Sequence, residues 1–193
     1  DWSSDVCSSD LGLIGGLATG LFGAMSRKVR PTLYMVYAVC QGLVLGIISR
    51  VYEAFYNGIV QQAIVATAAA FFGMLFLYRS GRLRATPKFT RTLMGAAIGY
   101  LILAFGSFIG SFFGLGGGMG LYGLSGFGPM LAIAGVAIAS FFLVLDFDQI
   151  EQGVRAGIPQ EESWRAGFGL LMTMVWLYME VLRLLAILRG NDN

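Results

Sequence analysis

Few side chains in this chain can do chemistry, and the most unusual is Glu180, in the middle of the apolar run 164–188. An ionisable group at that depth must face a bundle interior, water or a partner. Its position therefore predicts either a place on an ion or proton path or a structural ion pair. Arg183, three residues on and on the same helical face, would be the partner in the second case. Thr173 lies seven residues before Glu180, so both fall on one stripe that could line a polar interior. Asp146 follows directly on the apolar run Phe-Phe-Leu-Val-Leu at 141–145, at or just inside the end of another segment. Asp148 and Glu151 come next and read as a solvated helix end; the trio lacks the spacing and the glycine of a calcium-binding EF-hand loop. Gln41, between Cys40 and Gly42, is a lone polar group suited to an interhelical hydrogen bond rather than to an ion.

The same inventory excludes much. The chain has no histidine, so Ser-His and Cys-His catalysis are absent, and its two cysteines, Cys7 and Cys40, make neither a disulfide framework nor a zinc, haem or iron-sulfur site. No cofactor and no enzymatic activity are expected. Gly118-Met-Gly-Leu-Tyr-Gly123 matches GxGxxG, but no strand precedes it, so nucleotide binding is rejected. A net charge of +2, scattered over short loops, gives no nucleic-acid surface.

The elements that must position these residues follow from composition. Of 193 residues, 56% are hydrophobic and only 12% charged, against roughly a quarter charged in a globular domain. Apolar runs near or above the roughly 18 residues that cross a bilayer as a helix recur along the length. The fold class is therefore all-α, a polytopic transmembrane bundle in a lipid bilayer. Six segments are read, at residues 12–25, 33–48, 59–78, 92–113, 130–145 and 164–188; the first is short and reads as a cut helix. Residues 12–190 form the transmembrane domain and 191–193 a short polar C-terminus. Residues 1–11 carry a composition unlike the rest and resemble a sequencing adapter translated in frame, a non-native tail replacing the true N-terminus.

Charge fixes the orientation. Arg27, Lys28 and Arg30, and then Arg79, Arg82, Arg84, Lys88 and Arg91, mark two cytoplasmic loops. The uncharged loop 114–128 falls outside, and the connection from Asp146 to Arg165 inside. Pro159, with Glu161 and Glu162 after it, reads as the start of the last helix rather than as catalysis. Gly16 and Gly20 on the first segment, and Gly95, Gly99, Gly106, Gly110 and Gly114 on the fourth, form small-residue faces. These predict close helix packing within the chain, with homodimerisation as the alternative and the oligomeric state open.

The run Leu145-Asp-Phe-Asp-Gln-Ile150, the last helix ending Tyr178-Met-Glu-Val-Leu-Arg183, Tyr37-Ala-Val-Cys-Gln-Gly-Leu-Val-Leu-Gly46, Gly58-Ile-Val-Gln-Gln-Ala63 and Arg82-Leu-Arg-Ala-Thr-Pro-Lys-Phe-Thr-Arg91 together resemble the Bax inhibitor-1 superfamily, in particular its bacterial YccA-like branch. The resemblance implies seven transmembrane helices with the last enclosed by the others, of which this chain would lack the first. It also implies a bacterial inner-membrane protein acting as a pH-sensitive calcium leak channel, whose sensor is an aspartate on each of the last two helices. Asp146 occupies the first of those positions. Thr173 falls at the second and cannot titrate, so the two-carboxylate sensor is incomplete, with Glu180 two turns away as the candidate substitute. Gln41 stands where related bacterial sequences often carry Glu.

A carboxyl group held out of water has a raised pKa, and a hydrogen-bonded neighbour lets its charge state decide helix packing. The leading expectation is a cytoplasm-facing polar cavity in which Asp146, Glu180 and Thr173 gate the leak of Ca2+ or protons. The alternative is a non-conducting regulator that binds other membrane proteins, such as a membrane-anchored protease, through its helix faces.

Overall fold

A computed structural model describes residues 31–112 and 127–191. The stretch read as a non-native tail, the short first segment with Gly16 and Gly20, Gly114, and the GxGxxG match at 118–123 lie outside the described residues. Five α-helices follow one another: α1 (Pro31–Phe55), α2 (Ile59–Arg79), α3 (Pro87–Phe112), α4 (Phe127–Ala156) and α5 (Gln160–Asn191). They correspond to the second to sixth apolar segments. Each holds a stretch long and apolar enough to cross a membrane, and no strand occurs among the described residues. Val39, Phe72, Ile102 and Phe105 are exposed, as expected of side chains that meet lipid rather than water.

α5 organises the bundle. It packs most extensively on α4, then on α2 and α1, while α3 joins chiefly through α4. The core lies where α2, α4 and α5 meet, around Ala63, Leu143, Val144, Leu177 and Leu182, with Phe147 and Val181 beside them. A smaller aromatic cluster holds the start of α1 to α5: Tyr34 and Tyr37 each lie 4.8 Å, centroid to centroid, from Phe168.

The most consequential departure from expectation is the length of α4. Sequence reading ends the fifth segment at Leu145 and treats Asp146 onward as connection, but the helix continues to Ala156. The reason is packing: Phe147 is buried, and Tyr78 of α2 hydrogen-bonds to both Asp148 and Glu151, so the polar turns are held by tertiary contacts. The helix ends at Gly157, whose φ of 62° is the left-handed conformation that closes helices without a Cβ penalty. The Gly157 amide donates to the Val154 carbonyl and that of Ile158 to the Gly153 carbonyl. Pro159 then prevents continuation, and α5 begins at Gln160. α4 and α5 thus form an antiparallel hairpin with a very short turn.

At the opposite end of the bundle, Glu53 accepts hydrogen bonds from the backbone amides of Gly58 (2.6 Å) and Val60 (3.1 Å), capping the start of α2. Arg189 reaches from the end of α5 to the carbonyl of Asn57 at 2.7 Å.

Candidate functional site

Asp146 projects from α4 toward α5, where its Oδ1 lies against Gly169 and its carboxyl group meets the Thr173 hydroxyl. A Cβ at Gly169 would stand 3.7 Å from Asp146 Oδ1, an ordinary van der Waals contact, so the carboxyl group packs directly on this part of α5. Thr173 also donates back to the Gly169 carbonyl at 3.3 Å, a local bond that lets a buried hydroxyl persist inside a helix. The second oxygen of Asp146, Oδ2, is buried and has no hydrogen-bond partner; Thr67 Oγ1 on α2 shares that condition among the described residues. Asp146 and Thr173, paired on the sequence argument, are thus together in space.

Glu180 belongs to a different layer. It is 3% exposed, and its Oε2 accepts from Tyr100 Oη of α3 at 2.6 Å and from Arg183 at 3.0 Å. Its Oε1 accepts from Trp176 Nε1 at 3.1 Å and from Arg183 at 3.1 Å. A carboxylate so surrounded is a satisfied structural anion, and of the two expectations for this residue the ion pair with Arg183 is the one the geometry contains. The cluster rests on Gly135 of α4, where a Cβ would stand 2.5 Å from Tyr100 Oη and 2.7 Å from Glu180 Oε2. No side chain larger than hydrogen fits there without displacing the anion.

The two layers are separated along the hairpin. Thr173 and Glu180 are two turns apart, about 10 Å along the axis, and Leu143 and Leu177, both fully buried, belong to the core between them. Glu180 is therefore not beside Asp146, and the expected single polar cavity lined by Asp146, Thr173 and Glu180 divides into an Asp146–Thr173 site and a Tyr100–Trp176–Glu180–Arg183 cluster with an apolar layer between.

Asp148 and Glu151 lie on the end of α4, as the reading of a helix end has them, and both line a cleft of roughly 790 Å³ between the end of α2, the α2–α3 connection and the end of α4. Gln41 is half-buried on α1 and joins neither layer. Among the described residues no group of three His, Cys, Asp or Glu side chains converges to hold a metal. The glycines of α3 behave unlike the expectation: a Cβ at Gly95, Gly99 or Gly106 would meet nothing within 4 Å. Their face does not touch another described helix, because α3 turns other residues, Leu93, Ala97 and Tyr100, inward. Gly110 is buried.

Sequence reasoning missed Tyr100, Gly135, Trp176 and Tyr78. Trp176 was within reach, since it precedes Glu180 by one helical turn as Arg183 follows it. Tyr100 and Gly135 were not, because their roles depend on contacts across 80 and 45 residues of chain.

Among the described residues, five helices long and apolar enough to cross a membrane, with Glu180 buried between them, define a multi-pass helical membrane protein. No curated protein and no solved structure matches the chain. The family model described as Bax inhibitor 1 like matches residues 6–190, and the chain belongs to that family. The match begins at Val6, inside the stretch read as foreign.

Proposed function

We propose that this protein is a pH-sensitive cation leak channel, with Ca2+ as the ion carried and Asp146 as the gating carboxylate, in a bacterial inner membrane. The observation that carries the reading is the buried Asp146 Oδ2, an acceptor with no donor among the described residues, beside the Thr173 hydroxyl at the most extensive helix contact of the bundle. An oxygen in that condition is suited to a water, a proton or a cation. Charging or neutralising it changes how α4 sits against α5, and the buried Leu143 and Leu177 form the dry barrier that such a movement would open. Glu180 enters this scheme as the anchor of α3 and α5 rather than as the second sensor.

The test is calcium flux into liposomes containing the purified protein, recorded from about pH 5 to 8. Asp146→Asn is expected to abolish the pH dependence while leaving the protein folded. No flux above empty liposomes from folded protein would refute the channel. The regulator reading would then stand on the open α3 face at Gly95, Gly99 and Gly106, a surface on which another membrane helix can pack closely.

A further inference from the structure

The cleft at the ends of α2 and α4 is lined by three guanidinium groups, Arg79, Arg84 and Arg155, and two carboxylates, Asp148 and Glu151. Its acids are already occupied. Glu151 accepts from Tyr78 and Arg155, and Asp148 from Tyr78 and from Gln152. Of its cations, Arg155 is paired with Glu151, whereas Arg79 and Arg84 make no ion pair among the described residues, Arg84 acting on Glu151 only from beyond ion-pair distance. Nor do the last carbonyls of α2 need them. Ser80, Gly81 and Leu83 donate their backbone amides to the carbonyls of Phe76, Tyr78 and Leu77 in turn. A basic loop explains why arginines occur at this end of the bundle, but not why two of them border one cleft with no carboxylate at ion-pair distance.

We infer that this cleft binds a phosphate-type anion, held by Arg79 and Arg84, and that the headgroup phosphate of an anionic phospholipid is its source. The guanidinium fork matches phosphate oxygens in pairs. Arg79 is the last residue of α2 and of its membrane-crossing stretch, the depth at which headgroups lie. The loop that carries Arg79 and Arg84 is the one whose charge assigns this end to the cytoplasm, and basic pockets between helices on that side bind anionic headgroups. Exposed arginines near such a headgroup each favour binding about fivefold, so the two together give roughly 25-fold.

The full chain, purified in a neutral detergent, is titrated with short-chain phosphatidylglycerol, with phosphatidylcholine and with inorganic phosphate, and the melting temperature is followed. The expected result is a saturable rise with phosphatidylglycerol and none with phosphatidylcholine. Arg79→Gln with Arg84→Gln should raise the half-saturating concentration roughly 25-fold. Arg82→Gln, in the same loop but outside the cleft, should leave it unchanged. An equal rise with inorganic phosphate at similar concentration would overturn the lipid source and assign the anion site to a soluble phosphate. Equal weakening in the double variant and in Arg82→Gln, or no saturable rise in well-folded wild type, would overturn the site itself. Circular dichroism of each variant separates weakened binding from an unfolded chain.

Discussion

Substituting Gly135 by alanine adds one methyl group at the point where three helices meet. The new Cβ would lie 2.5 Å from Tyr100 Oη, 2.8 Å from its Cζ and 2.7 Å from Glu180 Oε2, whereas unstrained carbon contacts need about 3.5–4.0 Å. Either α3 withdraws by about 1 Å or the Tyr100–Glu180 bond opens. Overpacking of this kind costs about 1–3 kcal/mol, and breaking an interhelical hydrogen bond inside a membrane protein adds about 0.6 kcal/mol. Alanine returns about 1 kcal/mol through its higher helix propensity, so destabilisation wins by about 1–2 kcal/mol, a five- to thirty-fold change in the folding constant. Reversible unfolding in mixed micelles, read through tryptophan fluorescence, measures it, and Trp176 reports from within the cluster. Tyr100→Phe removes the oxygen in the closest approach while keeping the Cζ, so it should partly relieve Gly135→Ala, with a coupling of about 1 kcal/mol. Strictly additive effects, or a Gly135→Ala variant as stable as wild type, would refute the packing argument.

Three further outcomes are expected. Glu180→Gln removes the charge from the carboxylate that pairs with Arg183 and should destabilise by about 1–3 kcal/mol, less than a fully dry pair because Arg183 is partly exposed; adding Arg183→Met should recover part of that stability in the same unfolding assay. Flux through Glu180→Gln, normalised to folded protein, should retain the pH dependence of wild type, since Glu180 and Asp146 occupy separate layers; disappearance of that dependence would restore Glu180 as a sensor. Gly157→Ala places a Cβ on a residue at φ 62° and should lower stability by about 1 kcal/mol, which thermal melting would show.

The helices were legible because lipid demands long apolar runs: the segment read as 59–78 is α2 with its end shifted by one residue. Their polar ends were not. The turns beyond Leu145 look like a loop when only hydropathy is read, although Phe147 and Ile150 continue the inward stripe and Gly157 and Pro159 mark a helix stop. The Asp146–Thr173 pairing was reachable through family resemblance, since the two positions are matched there. The surroundings of Glu180 were not, because three of its four immediate neighbours, Tyr100, Gly135 and Trp176, carry no charge and look like ordinary lipid-facing or packing residues in an apolar run. A charge in a membrane announces itself in sequence, whereas the uncharged groups that receive it do not.

The turn at Gly157–Pro159 also bears on how the protein is made. Because so little chain separates α4 from α5, the two can enter the bilayer as one helical hairpin, and the contacts within it are local in sequence. Asp146, Gly169 and Thr173 all lie on that hairpin, as do Gly135 and Glu180. The site can therefore assemble from a stretch of chain that leaves the ribosome after α1, α2 and α3, against helices already in place. Premature termination within α5 would leave a bundle of inserted helices without its central member, and quality control acting on that species would meet an open core rather than a damaged surface.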